Sequence, residues 1–72
     1  MQKEGCARKA ELLEDVRAAM AALMAIHNSE MEALLKEDFD HIAELRTTLG
    51  AARAHKAELI ELYREHVELH GC

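Results

Sequence analysis

The sequence predicts an all-α fold: an antiparallel two-helix hairpin, with helices near 6–36 and 39–70, that dimerises into a four-helix bundle. Three observations predict it. The alphabet is helical. Half of the 72 residues are apolar, yet only Phe39 and Tyr63 are aromatic, proline is absent, and Gly5, Gly50 and Gly71 are the glycines. Alanine, leucine, glutamate and arginine dominate, and β-branched residues are few, which favours helices over strands. The apolar positions recur at steps of three and four almost throughout, the period of one helix face. The chain is also short. It makes one domain, 1–72, and a domain of this size seldom buries enough apolar surface by itself.

The first helix carries a stripe at Leu13, Val16, Met20, Leu23, His27 and Leu34, with the spacing of a heptad seam. A second apolar row lies beside it at Leu12, Ala19, Ile26 and Ala33. From Ala18 to Ile26 every side chain is apolar. A helix apolar all round is covered on several sides, so one partner helix is too few and a bundle of four is expected. The turn falls at Lys36-Glu37-Asp38-Phe39-Asp40. Asp38 is suited to cap the next helix, and Asp40 sits in its first turn, where the helix dipole favours negative charge. The second helix shows Ile42, Leu45, Leu49, Ala52, Leu59, Tyr63, His66, Val67 and His70, with Lys56 interrupting the row. A lysine can lay its stem along apolar surface and lift its amine to water. Glu58, Glu61, Glu65 and Glu68 form an outer, solvated pattern.

A rival architecture is a three-helix bundle with turns near 28 and 50. Ser29-x-x-Glu32 has the form of a capping box, and Gly50 suits a helix C-terminus. The apolar stripe crosses every candidate break, so periodicity does not choose between the two. Within the hairpin reading, Gly50 with Ala51, Ala52 and Ala54 leaves a smooth stretch where helices of a dimer can approach closely. The run from Leu34 to Leu45, Leu-Leu-Lys-Glu-Asp-Phe-Asp-His-Ile-Ala-Glu-Leu, resembles the turn of bacterial helical hairpins, including those of flagellar export chaperones. The resemblance covers a dozen residues and implies a turn there.

Fourteen acidic residues against nine basic give a net charge of −5. The basic residues are scattered and not interleaved with aromatics, which argues against nucleic-acid binding. The longest apolar run is far short of the ~20 residues of a membrane span. The first residues lack the apolar stretch of a secretory signal, and Gly71-Cys72 is not a prenylation box. The cytoplasm is the expected location. Glycine-rich phosphate loops, nucleophile elbows and the Glu-x-x-His pair of di-iron bundles are missing, so an enzyme is not expected.

Two groups of residues carry candidate chemistry. Cys6, His66, His70 and Cys72 meet at one pole if the chain is a hairpin. His66 and His70, four apart, face the same way, and Gly71 can end the helix so that Cys72 folds back. Two thiols and two imidazoles suit zinc, or copper(I) if the thiols dominate. The same residues also fit plainer roles. The histidines can complement a helix C-terminus. The cysteines can remain free thiols, or form a disulfide that constrains the unfolded chain, although a reducing compartment opposes the latter. Met20, Met24, His27 and Met31 form the second group, a thioether–imidazole row able to hold copper or to serve as gap-filling core. A His27 buried in a dimer seam would loosen the assembly below about pH 6, because protonation there carries a desolvation cost. His41 and His55 are expected at the surface.

The functional expectation is a small oligomerisation or protein-interaction module, a homodimer or a partner to another protein. Its expected interface is Leu13, Val16, Met20, Leu23, Ile26, Leu49, Leu59 and Tyr63. The alternative is a metal-binding or thiol-redox bundle built on the Cys6–Cys72 pole.

Overall fold

The computed structural model describes the backbone of residues 2–70 and the side chains of residues 7–69. Two helices, α1 (Gln2–Leu35) and α2 (Phe39–His70), pack against each other as an antiparallel hairpin. No cis peptide bond interrupts the described chain.

The turn is set by hydrogen bonding at both helix ends. Glu37 adopts a left-handed φ of 56°. Its N–H donates to the Leu34 carbonyl at 3.0 Å, and the Asp38 N–H donates to the Ala33 carbonyl at 2.9 Å. This pair of bonds is a Schellman motif, which satisfies carbonyls that the end of α1 would leave orphaned. Asp38 then starts α2. Its Oδ1 accepts from the His41 N–H at 3.2 Å, and its carbonyl accepts the first helical bond, from the Ile42 N–H at 3.1 Å. Asp38 is thus the N-cap of α2, and Asp40 lies in the first turn, where the dipole favours it. The three residues 36–38 form the whole connection.

α1 runs unbroken through Ser29 and α2 through Gly50, which sets aside the three-helix alternative. Gly50 is exposed, and a Cβ built there would meet nothing within 4 Å. Its tolerance within α2 costs about 1 kcal/mol relative to alanine. Ser29 is likewise exposed in the interior of α1, where its hydroxyl reaches water.

The core is a single narrow seam. Leu12, Val16, Ala19, Leu23, Ala33 and Leu49 are buried, and even Leu12 and Ala33 keep 3% exposure. Half-buried positions complete the seam: Lys9, Ile26 and Glu30 on α1, and Ile42, Leu45, Ala52, Lys56, Leu59, Tyr63 and His66 on α2. On each helix the steps alternate between three and four, the heptad rhythm of coiled-coil packing. A hairpin turning over residues 36–38 sets Ala33 opposite Ile42, Ile26 opposite Leu49, Leu23 opposite Ala52, and Leu12 opposite Tyr63. Small residues at 19, 33 and 52 let the backbones approach, since the distance between helix axes follows the side chains at the contact.

The ion pairs Arg8–Glu11 (3.1 Å) and Arg17–Glu14 (3.5 Å) join neighbours one turn apart on α1, and Lys36–Glu32 (3.5 Å) ties the first residue of the turn to the last turn of α1. They support helicity and do not choose a partner helix.

The hairpin measures 54 × 14 × 11 Å with a radius of gyration of 16.3 Å, against about 11 Å for a compact chain of this length. It exposes 5497 Å², whereas a compact protein of its mass exposes about 4,500 Å². None of the described helices is long and apolar enough to cross a membrane.

Candidate functional site

The seam occupies α1 residues on one line, and a second apolar line runs beside it, one residue further along the chain. Leu13, Met20, Met24, Met31 and Leu34 occupy this second line, and all are exposed, by 45, 42, 67, 57 and 53% respectively. Arg17 and His27 belong to the same row. Leu12–Leu13 explains the geometry: adjacent residues on a helix differ by about 100°, so Leu12 turns into the seam while Leu13 faces along its flank.

Near the turn this row becomes one wall of a shallow groove of about 340 Å³. His27, Met31 and Leu34 of α1 line it together with Glu30, Ile42 and Arg46. The His27 side chain is half exposed, with Nδ1 3.5 Å from a Glu30 carboxylate oxygen. In the hairpin it is therefore a flank residue rather than part of the intramolecular seam. Met20, Met24 and Met31 are likewise surface residues and do not fill the core of the hairpin. His41 and His55 are exposed. Nδ1 of His41 lies 3.4 Å from Glu44.

The eight residues expected at an intermolecular interface divide sharply. Val16, Leu23 and Leu49 are buried between α1 and α2, and Ile26, Leu59 and Tyr63 are half-buried there. Leu13 and Met20 alone of the eight project as exposed residues. Sequence reasoning left out Phe39 and Ile60, exposed by 64 and 38%. Both share a heptad phase with Arg46, which lines the groove, and that phase is the signal that finds them.

At the open end of the hairpin, α1 begins and α2 ends, so helix positions 6, 66 and 70 lie at one pole. His66 is half-buried and lines a shallow cleft with Arg8, Leu12, Leu62, Glu65 and Leu69. The side chains of Cys6 and His70, and all of Cys72, lie outside the described residues. Among the described residues no group of three histidine, cysteine, aspartate or glutamate side chains is placed to hold a metal ion.

The strongest local electrostatics lie on the outer face of α2. Arg64 donates to both Glu61 oxygens, at 3.2 and 2.7 Å, and to Glu68 at 2.9 Å. The hydrogen bond and charge of Arg64 hold the Glu61 carboxyl below its ordinary value. Glu61, and after it Glu68, push the already basic guanidinium higher still. All three groups are exposed, which marks a solvated helix brace rather than a reactive centre.

The arrangement offers an exposed apolar flank and shallow grooves, and among the described residues no ionisable side chain is buried. No family model, no curated protein and no solved structure matches this chain.

Proposed function

We propose that this chain is a non-catalytic self-association module, in which two hairpins complete each other as a four-helix bundle. The observation that carries this reading is the excess of exposed surface. The hairpin exposes 5497 Å², which is about 1,000 Å² more than a compact protein of the same mass. A standard protein interface removes about 800 Å² from each partner. One copy docked on a second therefore removes an area of the right size to restore ordinary compactness. The core points the same way. Two of its six buried side chains are alanines, and domains this small are commonly completed by oligomerisation.

Sedimentation equilibrium at micromolar concentration tests the proposal. The expected mass is twice the 8.1 kDa of the chain, and the urea midpoint is expected to rise with protein concentration, because dissociation is coupled to unfolding. A monomer that melts at the same midpoint at every concentration overturns it.

A second reading is a zinc- or copper-binding or thiol-responsive pole using Cys6, His66, His70 and Cys72. Its support is the hairpin topology, which brings helix positions 6, 66 and 70 to one end. Metal analysis of protein purified without a histidine tag, with and without reductant, decides it. One zinc or copper per chain or per dimer supports the pole. Metal-free protein that also fails to take up either ion on titration removes it.

A further inference from the structure

The hairpin has two flanks, one on each side of its seam, and their surfaces differ. On the first flank α1 presents Leu13, Met20, Met24, Met31 and Leu34, a mostly apolar row whose polar members are Arg17, near its open end, and His27. The α2 positions on that side follow the phase of Arg46, which shares the groove with Met31 and Leu34. That phase carries Phe39 and Ile60, with Arg46 and Arg53 between them. On the second flank, α1 and α2 border a shallow depression between Asp15, Ala18, Ala22 and His55. Its large exposed apolar residues are Leu62 and Leu69, both near the open end. Seven of the ten large apolar side chains exposed in the described chain therefore lie on the first flank.

We infer that the methionine-rich flank of α1, with Phe39 and Ile60 of α2, is the surface on which a second copy of this chain docks. The inference rests on the self-association reading and assigns it a face. The area excess derived above is about one standard partner's share, which fits one flank covered and the other left in water. The row runs from Leu13 to Leu34 with heptad steps, so it can serve as the second seam of a four-helix bundle while Leu12 to Ala33 serve as the first. Methionine suits such a surface, because its unbranched thioether adapts to an irregular facing helix. The second flank, with Asp15, Ser29, Thr48 and His55 on its exposed positions, remains the solvated side. His27 then enters the intermolecular seam next to Glu30, its partner within α1.

Two experiments on the full-length chain test the face. The first compares the double variant Met20→Glu/Met31→Glu with Ala22→Glu/Leu62→Glu by sedimentation, with helicity followed by circular dichroism. The first pair is expected to halve the mass, while the second pair leaves the dimer intact. A dimer that survives the first pair, or is lost only with the second, overturns the face while self-association stands. The second experiment uses the unaltered protein, so it does not depend on how the variants fold. Peroxide oxidation of Met24 and Met31 is followed by peptide mass spectrometry, beside a free methionine amide. At concentrations where sedimentation shows a dimer, both methionines are expected to oxidise about tenfold more slowly than the amide, as burial protects them. Oxidation at the amide's rate in a dimeric sample rejects this flank. A sample that is monomeric throughout rejects the self-association reading with it.

Discussion

Replacing Glu37 with glycine is expected to stabilise the hairpin by about 0.5–1 kcal/mol. Glu37 holds a φ of 56°, a conformation that crowds Cβ against the backbone and costs an L-residue about 1–2 kcal/mol. Nothing in the turn requires its side chain. The closing bonds are made by backbone, from the Glu37 N–H to Leu34 and from the Asp38 N–H to Ala33, and Glu37 is exposed. Glycine keeps both bonds and removes the crowding. It also widens the unfolded ensemble, which offsets about 0.4–1 kcal/mol of the gain. The net corresponds to a rise in melting temperature of about 2–8 °C for a domain of this size. The control is Glu37→Ala, which removes the charge and keeps Cβ. Urea denaturation at one fixed protein concentration, followed by circular dichroism, compares the three proteins. A midpoint for Glu37→Gly at or below that of Glu37→Ala would refute the argument, because left-handed crowding would then not be what the turn stores.

Two further outcomes follow from the seam and from the outer brace. Lys56 is half-buried in line with Leu49 and Tyr63 and opposite Ala19, so Lys56→Met keeps the stem and removes a charge from a mostly apolar row. About half of the 1.5–3 kcal/mol of a fully buried side chain is at stake, and a higher urea midpoint is expected; a lower one would show that the ammonium holds a partner worth more than the packing. Glu61 titrates below its ordinary value because Arg64 binds and charges its surroundings. Its contribution is therefore present above the ordinary carboxylate range and is lost as pH falls through the lowered folded value. The Glu61 carboxylate resonance is expected to titrate at higher pH in Arg64→Ala, and identical titrations in the two proteins would dismiss the pairing.

Much of the architecture was legible because the turn is written in local chemistry. Asp38 with Asp40 reads as a helix start, and α2 begins at Phe39. Ser29-x-x-Glu32 and Gly50 read as breaks by the same rules, yet both lie inside continuous helices. A capping residue allows a helix to begin but does not force one to end, and the packing of Ile26, Ala33 and Leu49 into the seam outweighs the small local preference. The choice of face was less legible. Leu12 and Leu13 offer the same period in two phases one residue apart, as do Ala33 and Leu34. Weighing side chains by bulk favours Leu13, Met20 and Leu34, but the helices close on Ala19 and Ala33 because small residues permit a nearer approach. The large side chains are thereby left on the flank. The chemistry of the Cys6–Cys72 pole was legible only as a list of ligand types. Its geometry depends on how side chains at two helix ends fold back, which periodicity does not encode.

The dual role of Asp38, last anchor of one helix and first of the next, has a consequence for the order in which the molecule assembles. Ala33 and Ile42 are separated by a short loop, whereas Leu12 and Tyr63 close most of the chain. Each doubling of loop length adds only about 0.6 kcal/mol of closure entropy, but once the turn has formed even that is spread over successive layers, each closing on the one before. Assembly is then expected to start at Asp38 and travel toward the two free ends. Native-state hydrogen exchange would register it as a gradient of protection, steepest beside Ala33 and Ile42 and fading toward Lys9 and His66, where polar seam residues hold the last layer.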